Sequence, residues 1–187
     1  MKELIRSFIA IDIDNSEIIK RITEAQDALG KSGAHLKLVE PQNIHVTIRF
    51  LGEIPQTLVE KVSEEMKHIS FKPFDVHFHG VGAFPNINRP NVVWIGIGKG
   101  AEILSNIFNQ LEPGLRGLGF SPDTRGFSPH VTIARVGSGL NRAELVQAIM
   151  SLKEREFGVL HVNSVKLKKS ILTPKGPIYS TIYEVKV

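Results

Sequence analysis

Hydrophobic residues along this chain follow two alternating periods. Short stretches rich in β-branched and aromatic residues, several with period two, predict strands. They are "SFIAIDI" from Ser7, "LKLV" from Leu36, "HVTIRFL" from His45, "FDVHFHGV" from Phe74, "VVWIGIG" from Val92, "HVTIARV" from His130, "FGVLHVNSVKL" from Phe157 and "YSTIYEVKV" from Tyr179. Between them, apolar residues spaced three and four apart predict four helices. The first opens at an Asn15 or Ser16 N-cap, carries Ile18, Ile19, Ile22, Ala25 and Leu29, and stops at Gly30. The second begins near Pro55, with Leu58, Val62, Met66 and Ile69 on one face. The third begins near Ala101 with Ile103, Leu104, Ile107, Phe108 and Leu111; Pro113 bends or ends it, with a short continuation to Leu118 left open. The fourth follows an Asn141 cap and carries Leu145, Ile149 and Leu152.

The order of these elements repeats. From Ser7 to His45 is 38 positions, and from Val92 to His130 is also 38; His45 to Phe74 is 29, and His130 to Phe157 is 27. The chain therefore reads as two copies of a strand–helix–strand–helix–strand unit, with a period too long for a solenoid. Half-polar alternation, as in "VHFHGVGAF", predicts mainly antiparallel sheets. The expected fold is α+β: one bilobal domain over 1–187, built as a pseudo-two-fold duplication. Its lobes are expected at about 1–90 and 91–187, with the C-terminal strand able to cross to the first sheet. The turn-rich "PNINRPN" is the candidate connector between lobes.

Composition adds bounds. At 187 residues, 42% hydrophobic and 22% charged, the chain builds a core without staples. The absence of cysteine excludes disulfides and Cys-ligated metals and fits a cytoplasmic protein. The apolar run before Asp12 is about five residues, too short for a signal segment. No run approaches the roughly 20 residues of a membrane span, so no membrane partner is expected. A net charge of +4 and a pI near 9.4 favour an anionic partner only modestly.

The repeat contains the candidate chemistry. The tetrapeptide His-Val-Thr-Ile occurs at 45–48 and again at 130–133. On a strand, residues i and i+2 share a face, so His45 projects with Thr47 and His130 with Thr132. A two-fold relation sets the pairs across a groove. Two imidazoles titrating near neutrality can take one proton and give another, while threonine hydroxyls donate to phosphate oxygens. One such strand is ordinary; two at matched spacing point to a shared site. By strict alternation Arg49 joins the His45 face as a phosphate clamp, whereas Arg135 reaches the groove only if its strand bulges or ends. In the loop "SPDTRGFSPH", Arg125 and Phe127 are candidates to line the groove. Tyr179 and Phe84 are candidate base-stacking aromatics, with packing the stronger reading for both. His77 and His79 form an i, i+2 pair that lacks a third metal ligand nearby in sequence, so no metal is expected.

These residues carry a resemblance. The two H-x-T-x motifs, with "RSFIAIDI" before the first, "RFLGEI" after it and "FSPHVTIAR" around the second, resemble the 2H phosphoesterase superfamily, in its branch of RNA 2′,3′-cyclic phosphodiesterases, historically called 2′-5′ RNA ligases. The likeness extends over nearly the whole chain. It implies a bilobal α+β fold with two sheets flanked by helices around a central cleft. It also implies metal-free, cofactor-free hydrolysis of an RNA terminal 2′,3′-cyclic phosphate to a 2′-phosphate by a monomer. Carried over by position, His45 is the proton donor, His130 the proton acceptor, and Thr47 and Thr132 hold the phosphate. The motifs themselves leave the two histidine roles interchangeable. Two alternatives stand beside hydrolysis: 2′-5′ ligation at the same site, not through a nucleotidyl-lysine because K-x-D-G is absent, and a non-catalytic RNA-end binding module.

Overall fold

The computed structural model describes residues 3–187. The first apolar stretch forms β1 (Leu4–Asp12) and leads into α1 (Ser16–Gly30). Asn15 is the cap: its Oδ1 accepts from the amides of Glu17 at 3.1 Å and Ile18 at 3.0 Å, satisfying two otherwise orphaned donors. Helical backbone continues past Gly30 to Lys31, and the left-handed residue is Gly33 at φ +71°. The remaining elements are β2 (Leu36–Leu38), β3 (His45–Pro55), α2 (Gln56–Met66), β4 (Phe74–Asn86), β5 (Arg89–Ile97), α3 (Ala101–Gly117), β6 (His130–Val136), α4 (Arg142–Ser151), β7 (Glu156–Val162), β8 (Ser164–Thr173) and β9 (Gly176–Lys186). A single 3₁₀ turn, Pro41–Asn43, precedes β3.

Two antiparallel sheets result. The first has order β3-β1-β8-β9 and the second β2-β6-β5-β4-β7. Strands cross between the sheets: β2 and β4 of the first repeat lie in the second sheet, β4 beside β5, while β8 and β9 of the second repeat lie in the first, β8 beside β1. Helices exchange as well. α1 and α4 pack on the second sheet, and α2 and α3 on the first. A lobe boundary near residue 90 therefore does not follow the sheets. "PNINRPN" is the tight β4–β5 hairpin turn rather than a linker, and "FGVLHVNSVKL" is two strands that part at Asn163 and enter different sheets. The inner faces of both sheets and all four helices merge into one contiguous apolar core.

Two helical expectations change in detail. α3 runs through Pro113 to Gly117, because Leu111 and Leu115 bury on either side of the proline and hold the helix on the core. Asn141 holds the N-cap position of α4, its carbonyl accepting from the Leu145 amide at 3.0 Å, but its side chain makes no capping bond. It sits at φ +50°, and its Nδ2 donates instead to the Gly33 carbonyl at 3.0 Å.

β3 and β6 each contain a β-bulge inside the repeated tetrapeptide. Ala10 faces Thr47 and Ile9 faces Arg49, leaving Ile48 extra; Trp94 faces Thr132 and Val93 faces Ala134, leaving Ile133 extra. The Ile133 carbonyl accepts from the Val39 amide at 3.0 Å and from Gln26 Nε2 at 2.9 Å, and the same Gln26 amide reaches the Val39 carbonyl at 2.8 Å. Gln26 is only 3% exposed, so this side chain is committed to the bulge. Gln26→Leu leaves the partly buried Val39 carbonyl without this donor, and urea unfolding should show a loss of about 1–3 kcal/mol with an unchanged m-value.

Candidate active site

The paired histidines begin their strands in the same way. His45 Nδ1 donates to the Asn43 carbonyl at 2.7 Å, and His130 Nδ1 donates to the Ser128 carbonyl at 2.7 Å. A carbonyl only accepts, so each Nδ1 carries a proton and each neutral ring keeps Nε2 as its basic nitrogen. Prolines shape both approaches: Pro41 opens the 3₁₀ turn before β3, and Pro129 directly precedes His130. One cleft of about 590 Å³ is lined by His45, Thr47, His130 and Thr132 together. Arg49, Arg125, Phe127, Ser128 and Arg135 also line it.

The bulges decide where the arginines point. Past Ile48 the parity of β3 inverts. Arg49 lies opposite the core residue Ile9, and Phe50 lies opposite Phe8 on the cleft side, 59% exposed. Past Ile133 the same inversion turns Ala134 into the core and Arg135 toward the cleft. The bulge condition set for Arg135 is thus met. Arg49 does not behave as a free clamp: its Nε donates to Glu112 of α3 at 2.6 Å and its Nη2 to the Ser121 carbonyl at 2.6 Å.

The surroundings of the two imidazoles differ. The His45 ring packs against Phe8 at 5.0 Å and edge-on to Tyr179 at 5.5 Å. His45 Nε2 lies 2.9 Å from Thr47 Oγ1, so in the neutral ring the threonine hydroxyl donates to it. Asp12 pairs with His45 across β1–β3 and accepts from Lys166 Nζ at 3.0 Å and Lys168 Nζ at 2.9 Å. Burial works against the Asp12 charge, yet the two ammonium groups hold its carboxyl below the usual carboxylate range. Burial also pushes the His45 imidazole below its ordinary value; the Asn43 carbonyl and Asp12 oppose this, and Lys168 and His130 add to it. Burial raises the Tyr179 phenol, against the pull of Arg6 and Arg135, so Tyr179 stays neutral. On the other wall, His130 packs edge-on to Phe84 at 5.0 Å, with Trp94 at 6.5 Å. Its cross-strand partner is Gly96, where a Cβ would meet the His79 carbonyl oxygen at 2.8 Å, so no second carboxylate fits there. His77 and His79 lie outside the cleft, beside Glu156 and Glu154 of the β7 edge.

The duplication also appears in comparison with known proteins. A family model described as LigT-like phosphoesterase matches the chain twice in tandem, over residues 11–94 and 95–179. The chain belongs to the LigT-like phosphoesterase family. It is an esterase of phosphate, a hydrolase. Its relatives include the RNA 2′,3′-cyclic phosphodiesterase of Aeropyrum pernix, 40% identical over 90% of this chain and 96% of the relative. That of Archaeoglobus fulgidus is 39% identical over 95% of this chain and 97% of the relative. Among solved structures, a Thermus thermophilus protein superposes with TM-score 0.79 at 26% identity over 97% of both chains. Escherichia coli LigT complexed with 3′-AMP shares the fold at TM-score 0.75 and 22% identity, over 99% of this chain and 98% of that one. In this LigT-like phosphoesterase no described helix is long and apolar enough to cross a membrane.

Several members of the site escaped the sequence reading. Phe8, Asp12, Phe50 and Trp94 flank the histidines from strands whose parity was readable but whose partners were not. The "KLKK" stretch carried a signal, since Lys166 and Lys168 share a strand face. The Asp12 contribution is testable. In an NMR titration of the ring protons, His45 should titrate below its ordinary 6.5, and Asp12→Asn should move it further down, because the charge that favours the imidazolium is gone. The unfolded chain then binds more protons than the folded one. The His45 contribution to stability is therefore intact above pH 6.5 and is lost as pH falls from there through the folded value.

Proposed function

We propose that the chain hydrolyses the 2′,3′-cyclic phosphate at an RNA end to a 2′-phosphate, by metal-independent acid–base catalysis between His45 and His130. The observation that carries this reading is the repeated geometry. Both imidazoles donate Nδ1–H to the main-chain carbonyl two residues upstream and line one cleft, with Nε2 the basic nitrogen of each neutral ring. The names of the curated relatives, RNA 2′,3′-cyclic phosphodiesterases matched over nearly their whole length, support the substrate class.

In this reading His130 Nε2 takes a proton from water as the oxygen attacks phosphorus. His45 gives its Nε2 proton to the departing 3′ oxygen, leaving a 3′-hydroxyl and a 2′-phosphate. His45 rests toward its neutral form because it is buried. The arriving phosphodiester anion favours the imidazolium, and the low ordinary affinity for that proton makes it a ready donor. Protonation also frees Thr47: its hydroxyl no longer donates to Nε2 and turns to a non-bridging phosphate oxygen. Thr132 offers its hydroxyl to a phosphate oxygen from the opposite wall, and Arg135 offers a planar two-pronged contact to the developing charge. These groups supply both proton transfers and the charge stabilisation, so the chemistry has no step that requires a metal. Phe50, Pro85, Val92 and Phe127 form an apolar wall suited to the nucleoside.

The test is hydrolysis of an oligoribonucleotide ending in a 2′,3′-cyclic phosphate, in EDTA, with the product identified as a 2′-phosphate. His45→Ala and His130→Ala should each lose about 10²–10⁴-fold in kcat/KM; full turnover in one of them would sink the two-histidine mechanism. A phosphodiester with a 4-nitrophenolate leaving group needs no acid. On it the His45→Ala loss should shrink while the His130→Ala loss persists, and the reverse pattern would exchange the roles.

A further inference from the structure

The buried ion pair behind the first motif has no counterpart in the second half, where the bulge places Ala134 at the position of Arg49. Arg49 and Glu112 side chains are 11% and 9% exposed, with Nε to Oε1 at 2.6 Å. Arg116, one helical turn further along α3, stands 3.7 Å from the other Glu112 oxygen. The remaining guanidinium nitrogens are also occupied: Nη2 donates to the Ser121 carbonyl at 2.6 Å and Nη1 to the Phe50 carbonyl at 3.2 Å. Arg49 thus ties three segments: the first motif strand, α3, and the start of the irregular loop that leads into the second motif.

That loop, residues 118–129, carries Asp123, Arg125, Phe127 and Ser128 into the cleft wall. It is fastened at its far end by Phe127, stacked on Phe108 of α3 with centroids 4.9 Å apart and planes 8° from parallel. At its near end Ser121 is fastened to Arg49. The carbonyl of Ser128, next after Phe127, accepts the Nδ1 proton of His130. We infer that Arg49 is a positioning residue for the opposite histidine: by bridging Glu112 and the Ser121 carbonyl, it fixes the loop whose Ser128 carbonyl sets the orientation and tautomer of His130. The inference rests on the acid–base reading of His130. A planar guanidinium fork can span both acceptors, and a lysine ammonium, a single point on a flexible stem, serves only one.

Two variants test it. Arg49→Lys keeps a charge for Glu112 and gives up the bridge; Arg49→Met with Glu112→Leu removes the pair without stranding a buried charge. Three readouts are taken on folded protein: kcat and KM with their salt dependence, the ¹⁵N spectrum of the His130 ring without substrate, and the rate of tryptic cleavage after Arg125. In both variants kcat should fall about 10- to 100-fold with KM and its salt dependence unchanged. The His130 Nδ1–H signal should broaden or disappear into exchange, and cleavage after Arg125 should accelerate. A raised KM with a flatter salt dependence and an unchanged His130 spectrum would overturn the inference in favour of a direct phosphate contact. An unchanged spectrum and cleavage rate in both variants would overturn it outright. If the unmodified protein opens no cyclic phosphate, the proposed function fails, while the spectrum and the cleavage rate still decide the role of Arg49.

Discussion

Each sheet is completed by a strand from the other half of the chain: β8 beside β1, and β4 beside β5. The rest of the site depends on this exchange. β3 borders β1 and β6 borders β5, so the two motif strands are held at fixed positions against central strands whose other neighbours are shared between the repeats. Two independently folded lobes would meet through a mobile interface. Here the halves share hydrogen-bonded ladders and one continuous core, which fixes the two motif strands relative to one another.

On that frame, one extra residue in each motif strand aims the chemistry. Ile48 and Ile133 are buried, and each turns the following residues over. The fifth residue after each histidine, Phe50 on one side and Arg135 on the other, comes to the cleft. Of the fourth residues, Ala134 goes to the core, and Arg49 lies half-buried at the cleft margin. An arginine with so little of its side chain exposed needs a partner, and Glu112 of α3 supplies it. The same guanidinium also reaches the Ser121 carbonyl, at the start of the loop before His130.

The duplication is exact in the motif and broken around it. Asp12, pinned by Lys166 and Lys168, stands opposite His45, whereas Gly96 stands opposite His130 with no room for a side chain. Ala10 faces Thr47, and Trp94 faces Thr132, its ring laid over Gly82, where a Cβ would come within 2.3 Å. The two imidazoles share an orientation and a tautomer but differ in their neighbours. That difference in surroundings is what separates two otherwise equivalent imidazoles.

The amino-acid sequence by itself determined the repeat, the element types and the antiparallel class, and pointed to a groove shared by His45, Thr47, His130 and Thr132, because each follows from local periodicity and spacing. The tertiary structure decided which sheet each strand joins, since β-pairing is set by contacts between distant segments that leave no local mark. It also decided the facing of Arg49 and Arg135. A bulge exists only relative to a partner strand: without one, strict alternation keeps Arg135 off the cleft that it in fact lines, and gives no hint that Arg49, which does line the cleft, is tied to Glu112.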